Sequence, residues 1–404
     1  MKNFLTRSVW LVSLISLFTD IASEMLYPVM PVFLKSIGFS IVMIGILEGV
    51  AEATAGLSKG YFGNRSDISG KRVPFIRWGY ILSAVSKPMM AILTFPWWIF
   101  VARTFDRLGK GIRTSARDAL LSDETTSENK GKVFGFHRAL DTLGASIGPV
   151  LALIFLWKFP ANYKWLFILA FLPGIIAVSL TFLLKDKARS QELSKPKINF
   201  LQYLKYWKIS SVSYKKLVIA LLFFTLFNSS DAFLLLFLKY KGYSDLQMIG
   251  FYIFYNILYA ALSYPLGALA DKMGLKKVLV FGMVIFSLVY GGITMANSTI
   301  FFIIVFGFYA LYAAATEGIS KALISNLVKK EHIATALGFY SSFASFGTLI
   351  ASTLAGLLWF SFSPETLFLV SAVGVIVVAL YMGLNKLEYR IEKKLVKESQ
   401  RFKV

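Results

Sequence analysis

The sequence predicts an all-α integral membrane protein in which twelve transmembrane helices form two pseudo-symmetric six-helix bundles. Its composition is 56% hydrophobic and 16% charged, with a mean hydropathy of +0.64, far from the mixture found in soluble domains. One charged loop also occurs twice in the 404 residues, because Gly63-Asn-Arg-Ser-Asp67-Ile-Ser-Gly70-Lys71-Arg72 returns as Gly267-Ala-Leu-Ala-Asp271-Lys-Met-Gly274-Leu-Lys276-Lys277. A repeat at half the chain length indicates two duplicated half-domains.

Apolar runs set the expected helices, since about 20 residues are needed to span ~30 Å of hydrocarbon. Twelve such runs are expected at 9–34, 41–63, 74–94, 97–121, 132–157, 164–184, 214–238, 246–270, 277–296, 299–324, 333–359 and 365–385. The predicted organisation is therefore a first bundle at 1–184, a cytoplasmic linker at 185–213, a second bundle at 214–385 and a cytoplasmic tail at 386–404. Within the linker, 200–208 is either an amphipathic surface helix or an ordinary connector.

The distribution of Lys and Arg between these helices predicts the orientation. With both termini inside, most loop bases fall in inner loops: Arg65, Lys71, Arg72, Arg113, Arg117, Lys130, Lys132, Lys272, Lys276, Lys277, Lys329 and Lys330. The outer loops hold Lys35, Lys158, Lys164, Lys239 and Lys241. We therefore expect a multi-pass inner-membrane protein with cytoplasmic termini. Its net charge of +21 then reflects topology and anionic lipid rather than nucleic-acid binding.

Several kinds of chemistry are excluded by composition. The chain has no cysteine and only two histidines, His137 and His332, so thiolate chemistry and histidine metal clusters are not expected. No phosphate-binding loop or Ser/His/Asp arrangement is visible. We predict a protein that is not an enzyme and needs no cofactor or metal. A non-transporting sensor or membrane enzyme is the remote alternative.

The repeated loop places bases beside one aspartate where two helices meet the cytoplasm. Such a cluster can hold two halves together by charge pairing and by the helix dipole. Its residues are Gly63, Asp67, Gly70, Lys71 and Arg72 in the first copy and Asp271, Gly274 and Lys276 in the second. The loop resembles the signature of the major facilitator superfamily, with Ile68 where that family usually has a base. The resemblance covers nearly the whole chain and implies a secondary transporter.

Predicted helix 5 carries the small residues Gly135, Gly144 and Gly148, followed by Pro149. Glycines at these spacings let a neighbouring helix approach closely, and proline removes a backbone donor and permits a bend. The spacing resembles the antiporter motif of the same superfamily, which implies exchange of two solutes. Simple packing glycines are the other interpretation of Gly144 and Gly148.

Charged side chains at membrane depth indicate the candidate site. Placing one near the bilayer centre costs ~2.5–3.5 kcal/mol, so such residues are expected to face the bundle interior or a water-filled cavity. From ~1.5 Å of rise per residue, Asp20 and Glu52 fall near the midplane, with Glu24 and Glu48 one turn farther out. Predicted helices 4 and 5 oppose them with Arg103, Asp106, Arg107, His137, Arg138 and Asp141. Lys87 on predicted helix 3 extends outward, pairs with a helix 2 glutamate, or acts in transport.

A count of these charges predicts proton coupling. The acids are Asp20, Glu24, Glu48, Glu52, Asp106 and Asp141, and the bases are Lys87, Arg103, Arg107 and Arg138. Two acids are unmatched, and burial without a partner favours the protonated form of a carboxyl group. Asp20, Glu24, Glu48, Glu52 and Asp141 are therefore the proton-coupling candidates, unless static ion pairs consume them. The arginines are either partners for these acids or forks for an anionic solute.

The second half contributes fewer polar groups at depth, namely Asn228, Asp231, Asn256 and Glu317, and Lys321 is expected to pair with Glu317 at i,i+4. A cavity with charges on one wall and amides and tyrosines on the other suits an amphipathic solute. We predict a monomeric proton-coupled antiporter that exports a small organic solute through the lipid bilayer by alternating access. The alternative is an anionic solute held by Arg103, Arg107 and Arg138, moved by symport or exchange.

Overall fold

A computed structural model of the chain describes residues 5–27, 29–160, 162–186 and 201–387. Within these ranges the chain forms helices and no strand. The α-helices are α1 (Arg7–Glu24), α2 (Met30–Ser36), α3 (Ile41–Ser69), α4 (Val73–Ile92), α5 (Pro96–Asp123), α6 (Lys130–Lys158), α7 (Tyr163–Thr181), α8 (Tyr206–Ile209), α9 (Val212–Phe227), α10 (Ala232–Tyr240), α11 (Asp245–Met273), α12 (Leu275–Ile293), α13 (Thr299–Leu327), α14 (Ile333–Ser361) and α15 (Pro364–Leu384).

Helices occupy all twelve expected positions, but two of the expected helices are interrupted. The prediction of continuous helices over 9–34 and 214–238 is wrong, because α1 ends before α2 begins and α9 ends before α10 begins. The breaks start at equivalent places in the two halves, at Met25 and at Asn228. The second break reads Asn228-Ser-Ser-Asp231, whose side chains compete for backbone hydrogen bonds and so disfavour helix.

The apolar character of the helices is uneven along the chain. Among the described residues, eight helical stretches, all beyond residue 129, are long and apolar enough to cross a membrane by length and composition. The helix that departs most from this pattern is α5, which carries a row of charged side chains along its length. The charge-rich helices therefore lie in the first half, as the sequence predicts.

The halves meet at two helix crossings that are equivalent by the internal repeat. In the first, α3 crosses α14: a Cβ added at Gly63 would overlap the Ala334 backbone oxygen, and one at Gly338 would overlap the Lys59 backbone oxygen. Glycine is required here because the two backbones are in direct contact.

In the second crossing, α11 meets α6 in the same manner. A Cβ at Gly267 would overlap the Gly131 backbone oxygen, and one at Gly135 would overlap the Ser263 backbone oxygen. Gly267 lies at the repeat position of Gly63, and Ser263 at that of Lys59. The duplicated glycines therefore pack the halves against each other through pseudo-symmetric contacts.

The structure describes only part of the predicted linker and of the predicted tail. Residues 187–200 of the predicted linker and 388–404 of the predicted tail lie outside the described residues. The remaining linker forms a short 3₁₀ turn at Gln202–Lys205 followed by α8, with Tyr203 and Tyr206 buried and Lys205 and Lys208 exposed. This segment therefore packs two aromatic side chains into the protein.

Candidate functional site: a latch and a charged cavity

The first copy of the repeated loop holds the two halves together. Asp67, near the end of α3, accepts hydrogen bonds from the Thr335 backbone N–H and hydroxyl at 2.6 Å each and from the Ala334 N–H at 3.4 Å. These groups open α14, where the helix dipole favours a negative charge. Arg72, only 2% exposed, pairs with Asp67 at 2.6 Å within its own half. We call this contact and its repeat the latch.

The second copy makes the equivalent contact. Asp271, near the end of α11, accepts from the backbone N–H groups of Gly131 and Lys132 at 2.7 and 2.8 Å, which open α6. The loop glycines Gly70 and Gly274 have positive φ of 66° and 104°, a conformation that favours glycine. Each aspartate thus caps the first turn of a helix in the opposite half.

The remaining bases of the two loops have different surroundings. Lys71 is exposed, whereas Lys276 donates to the backbone oxygens of Gly383 and Asn385 at 3.0 and 2.7 Å. Lys276 therefore anchors the end of α15 within its own half. Within the described residues, the loop side chains that bond directly across the halves are Asp67, Asp271 and Asn64, whose amide donates to the Thr335 hydroxyl at 3.4 Å.

Tyr203 of the linker is inserted at the α3–α14 crossing. Its ring lies where a side chain at Gly60 would otherwise be, and its hydroxyl lies 3.3 Å from the Ser342 hydroxyl. Next to it, the Trp207 ring stacks on Phe339 at 5.6 Å between centroids. The linker therefore contacts both halves at the latch end of the bundle.

A cavity of ≈ 1050 Å³ lies between the halves. On α3 its lining runs from Ile44 to Lys59, so Asp67 lies about two turns beyond it. The cavity therefore extends from the middle of the bundle away from the latch. It brings together the predicted residues Asp20, Glu24, Glu48, Glu52, Arg103, Arg107, Arg138, Asp141, Asn228, Asp231, Asn256 and Glu317. Residues of both interrupted helices, including Tyr27 and Ser230, also line it.

Packing of α6 on α1 positions the first two acids. A Cβ at Gly144 would overlap the Leu17 oxygen, and one at Gly148 would come within 2.8 Å of the Ile21 oxygen. Both glycines therefore serve close packing, and Pro149 lies within the continuous helix α6. This contact places Asp20 and Glu24 on the cavity wall. Within the described residues, neither carboxylate has an ion-pair partner closer than 4.0 Å.

The two acids of α3 are paired with arginines of α5. Arg103 binds Glu48 through two hydrogen bonds of 2.9 and 3.0 Å, and Arg107 lies 3.2 Å from Glu52. The two-point Arg103 contact is the strong, oriented form of this interaction. The static-pair alternative therefore describes Glu48 and Glu52 well.

Lys87 pairs with neither glutamate of α3. Its ammonium, 1% exposed, lies 3.0 Å from Asp106 on α5, which Arg103 also contacts at 3.4 Å. The expected pairing of Lys87 with a helix 2 glutamate, or its outward extension, is therefore wrong. Asp106 lines a neighbouring cavity of ≈ 250 Å³ rather than the large one.

On α6, Arg138 connects the two halves. It lies 2.8 Å from Asp141 on its own helix, 2.5 Å from the Tyr259 hydroxyl and 3.7 Å from Glu317 in the second half. Asp20 on α1 also lines the large cavity, and Asp141 is among its charged neighbours.

Lys321 does not pair with Glu317 as expected. It lies 2.9 Å from Asp118 of α5, whose other partner is Arg117 at 3.0 Å. Asp118 is buried to 1% exposure, so its desolvated charge needs these two cations. The i,i+4 spacing of Glu317 and Lys321 is therefore overridden by a contact between halves.

Two arginines assigned to an inner loop belong to the site instead. Arg113 and Arg117 lie inside α5 and are buried, so counting them as loop charges is wrong. With Arg103, Arg107 and Lys110 they form a basic row at helical spacing along the cavity. Periodicity along 103–117 was the signal that would have placed them.

The predicted charge balance is also wrong. Charges that line the large or the neighbouring small cavity, or that pair with a lining residue, include nine acids, Asp20, Glu24, Glu48, Glu52, Asp106, Asp118, Asp141, Asp231 and Glu317. They include nine bases, Lys59, Lys87, Arg103, Arg107, Lys110, Arg113, Arg117, Arg138 and Lys321. The first half alone holds seven of these acids and eight of these bases, so acids are not in excess there.

The second half supplies a polar and aromatic wall. At the break between α9 and α10, the Asn228 amide donates to the Tyr312 hydroxyl at 2.7 Å, and Asp231 accepts from the Tyr309 hydroxyl at 2.6 Å. Asn256 donates to a backbone oxygen of its own helix at 3.0 Å. The tyrosines and phenylalanine that line the cavity here are Phe224, Tyr252, Tyr255, Tyr259 and Tyr340.

His137 lies on α6 in the first half and does not line the large cavity. It is buried, and neither ring nitrogen has a hydrogen-bond partner within the described residues. Its neighbours include Arg117 and Asp141. In the part of the chain that the structure describes, no group of three or more histidine, aspartate or glutamate residues could hold a metal ion.

The similarity of this chain to known proteins agrees with its architecture of two pseudo-symmetric halves around a cavity. The sequence profile of the Major Facilitator Superfamily matches residues 12–258 and 250–403. The chain belongs to the Major Facilitator Superfamily. An uncharacterised transporter of this superfamily from Methanocaldococcus jannaschii is 31% identical over 384 residues, 94% of each chain. Membership and the apolar helices make the chain a multi-pass membrane transporter of small-molecule solutes.

Solved structures of the superfamily share the fold. The human organic anion transporter MFSD10 has a TM-score of 0.80 at 16% identity, covering 93% of this chain and 99% of its own. The transporter FucP, solved in the outward conformation, has a TM-score of 0.75 at 12% identity, covering 96% of this chain and 100% of its own. These likenesses concern the fold of this facilitator alone.

Proposed function

We propose that this facilitator is a proton-coupled secondary transporter that moves a small organic solute by alternating access. In this proposal the twelve helical positions are twelve transmembrane spans of a monomer in the inner membrane, and both termini are cytoplasmic. The uneven distribution of Lys and Arg supports this orientation. The observation that carries the proposal is a cavity between two halves that is closed by the latch at one end and lined by carboxylates without ion-pair partners.

The latch supports an outward-facing state. Asp67 and Asp271 bond across the halves, and the cavity lies on the far side of both contacts. Opening toward the cytoplasm requires the first turns of α14 and α6 to leave these aspartates. The arrangement suits a rocking motion of two rigid halves around a central site. The interruptions of the first helix in each half, both at the cavity, suit the same mechanism.

Asp20 and Glu24 are the proposed proton carriers. Both face the cavity, and neither is held by a cation within 4.0 Å in the described residues. Glu48, Glu52 and Asp141 are each held by an arginine, so their protonation requires an ion pair to break. Asp20 and Asp141 line the same cavity from α1 and α6 and are charged neighbours, which supports a proton held between these two helices.

Two transport modes use these carboxylates differently. In exchange, the solute and the proton compete at Asp20 and Glu24, so an acidic outside drives solute out. In the second candidate, an anionic solute is carried together with protons, and the same gradient drives solute in. The bases Lys59, Lys110 and Arg113, which have no carboxylate partner within the described residues, favour this second mode. Arg103, Arg107 and Arg138 support it less, since each is bound to an acid.

A flux measurement tests the proposal. A ligand-stabilisation screen on the purified protein would supply the solute, and its flux in proteoliposomes would be followed with and without an imposed pH gradient. We expect gradient-driven flux in the native protein and its loss in Asp20→Asn and Glu24→Gln. Glu128→Gln is the matched control, since Glu128 is an exposed loop residue away from the cavity.

The sign of the flux separates the two modes, because outward flux under external acid means exchange and inward flux means cotransport. Flux that ignores the gradient, with both α1 variants fully active, would remove proton coupling from the proposal.

A further inference from the structure

Three bases on the cavity wall have no acidic partner. Within the described residues, Lys59, Lys110 and Arg113 have no carboxylate oxygen within 4.0 Å. Lys59 donates to the Ser345 hydroxyl at 2.9 Å, and Arg113 donates to the Ser83 hydroxyl at 2.5 Å while lying over the Tyr80 ring. Lys110 is the exposed member of the basic row on α5. These cations contrast with Arg103 and Arg107, which are bound to glutamates.

The ammonium groups of Lys59 and Lys110 act on each other. Lys110 is the foremost charged neighbour of Lys59, and both lysines have Arg107 and Glu52 among their charged neighbours. Glu52 is an acid that both lysines have as a neighbour, and Arg107 already pairs with it at 3.2 Å. Like charges in a poorly solvated cavity repel strongly. An anion placed between the two ammonium groups would relieve that repulsion.

The opposite wall of the cavity suits the apolar part of a solute. Phe224, Tyr252, Tyr255 and Tyr340 line the same cavity from the second half. Aromatic faces of this kind bury large apolar area, and their hydroxyls tolerate polar substituents. A cavity of ≈ 1050 Å³ holds a solute of drug-like size.

We infer that the cavity binds an organic anion whose carboxylate or sulfonate group lies between Lys59 and Lys110 and whose apolar or aromatic body lies against Phe224 and the tyrosines. This inference rests on the proposed transport function, in its cotransport form, and names the solute class. The site is distinct from the arginine forks, because those arginines are occupied by Glu48, Glu52 and Asp141.

The position of Lys59 connects this site to the motion of the halves. Lys59 lies on α3 and Ser345 lies on α14, so their hydrogen bond crosses between halves. Its backbone oxygen also contacts Gly338 at the helix crossing. An anion that draws the Lys59 ammonium away from Ser345 removes one bond that holds α3 to α14. Binding of the anion therefore favours separation at the latch end.

At this site, protonation of the carboxylates and binding of the anion favour each other. Asp20 is among the charged neighbours of Lys110, and Lys110 is the foremost attractive neighbour of Glu24. While both carboxylates are ionised they attract Lys110 and repel an incoming anion. Protonation of Asp20 and Glu24 removes both effects, so the anion binds more tightly to the protonated carrier. Cotransport is the mode that follows.

Binding of three aromatic probes of equal size and different charge tests the inference. The probes are naphthoate, naphthamide and naphthylmethylammonium, and their affinities for the purified full chain in detergent would be measured by calorimetry. We expect naphthoate to bind at least tenfold more tightly than the other two, because one charge-assisted hydrogen bond is worth a factor of this size. In Lys59→Gln and Lys110→Gln that preference falls by about tenfold each. Lys164→Gln, an exposed lysine outside the cavity, keeps it.

Equal binding of the three probes to the native protein would overturn the inference, as would an unchanged naphthoate preference in both glutamine variants. Where a glutamine variant does not fold, Lys59→Arg and Lys110→Arg decide, because they keep the charge and must keep the preference. The measurement uses no membrane and no gradient. Its failure therefore leaves gradient-driven flux intact, and loss of flux coupling leaves the anion preference intact.

Discussion

Removing the Asp67 carboxylate should shift the protein toward a state that is open at the latch end. Its bonds to Thr335 and Ala334 cross between halves, whereas its 2.6 Å contact with Arg72 lies within one half. The Arg72 contact is therefore present in both conformations and cancels. The bonds to the first turn of α14 exist only while the latch is closed, so their loss changes the balance between the two conformations.

The size of the shift follows from those bonds. Two of them are 2.6 Å long and charge-assisted, and each such bond contributes about 1.5–3 kcal/mol. Asp67→Ala removes both and should favour opening by about 3 kcal/mol or more, roughly a hundredfold in the equilibrium constant. Asp67→Asn keeps an uncharged acceptor and should favour opening by about tenfold.

The natural absence of cysteine makes the assay direct, because any introduced thiol is the only one in the chain. Ser115 is 1% exposed at the α3–α14 crossing, where its hydroxyl donates to the Lys59 backbone oxygen at 2.9 Å. The rate at which a hydrophilic thiol reagent modifies Ser115→Cys should rise about a hundredfold in the Asp67→Ala background and about tenfold with Asn, in proportion to the open population. Ser287→Cys, buried on α12, controls for unfolding.

An unchanged rate at Ser115→Cys in both Asp67 backgrounds would refute the reasoning, because the latch bonds would then not favour the closed conformation. An equal rise at Ser287→Cys would mean that the substitution unfolds the second half instead.

Three further perturbations act on other contacts. Gly267→Ala forces a Cβ into the facing backbone and should lower the free energy of unfolding by about 1–3 kcal/mol. At Gly250 on the same helix an added Cβ meets nothing within 4 Å, so Gly250→Ala should leave the free energy of unfolding unchanged. Thermal unfolding in detergent distinguishes the two variants. Tyr203→Ala should raise reactivity in the same thiol assay, since the ring no longer fills the α3–α14 crossing. Arg103→Gln should lower the free energy of unfolding by about 3 kcal/mol, because it removes the arginine partner of buried acids. Adding Glu48→Gln should restore part of that loss. A lower melting temperature in the double variant than in Arg103→Gln alone would contradict the pairing.

The positions of the helices could be predicted from the sequence, because a helix that crosses a membrane requires a long run of apolar residues. It did not reveal the interruptions at Met25 and Asn228, because an average over about 20 residues conceals a break of a few. The cluster Asn228-Ser-Ser-Asp231 is a local signal of such a break. Its importance is clear only once the cavity shows that both breaks face the same space.

Charge pairing could be predicted only in part. Counting charges on predicted helices found acids on α3 and arginines on α5 that do pair, because opposite charges on neighbouring buried helices have few other partners. Arg103 pairs with Glu48, and Arg107 pairs with Glu52. Lys321 met Asp118 instead of Glu317, since the more deeply buried acid gains more from a partner. Contacts of this kind depend on the distances between helices from different halves, which no spacing along the chain contains.

The misplacement of Arg113 and Arg117 has a separate physical cause. Orientation rules treat a base near a helix end as a loop charge, yet α5 continues to Asp123 and its bases follow helical periodicity toward the cavity. Recognising that row changes the expected solute, because it adds Lys110 and Arg113 to the cavity wall, and neither has a carboxylate oxygen within 4.0 Å in the described residues.

Alternating access is the central claim, and a cross-link at the latch tests it most directly. The side chains of Asn64 and Thr335 are 3.4 Å apart across the two halves, so Asn64→Cys with Thr335→Cys in this cysteine-free chain can be joined by a disulfide or a short thiol cross-linker. We expect solute flux in proteoliposomes to stop on cross-linking and to return on cleavage of the link. Undiminished flux through the cross-linked protein would contradict the claim.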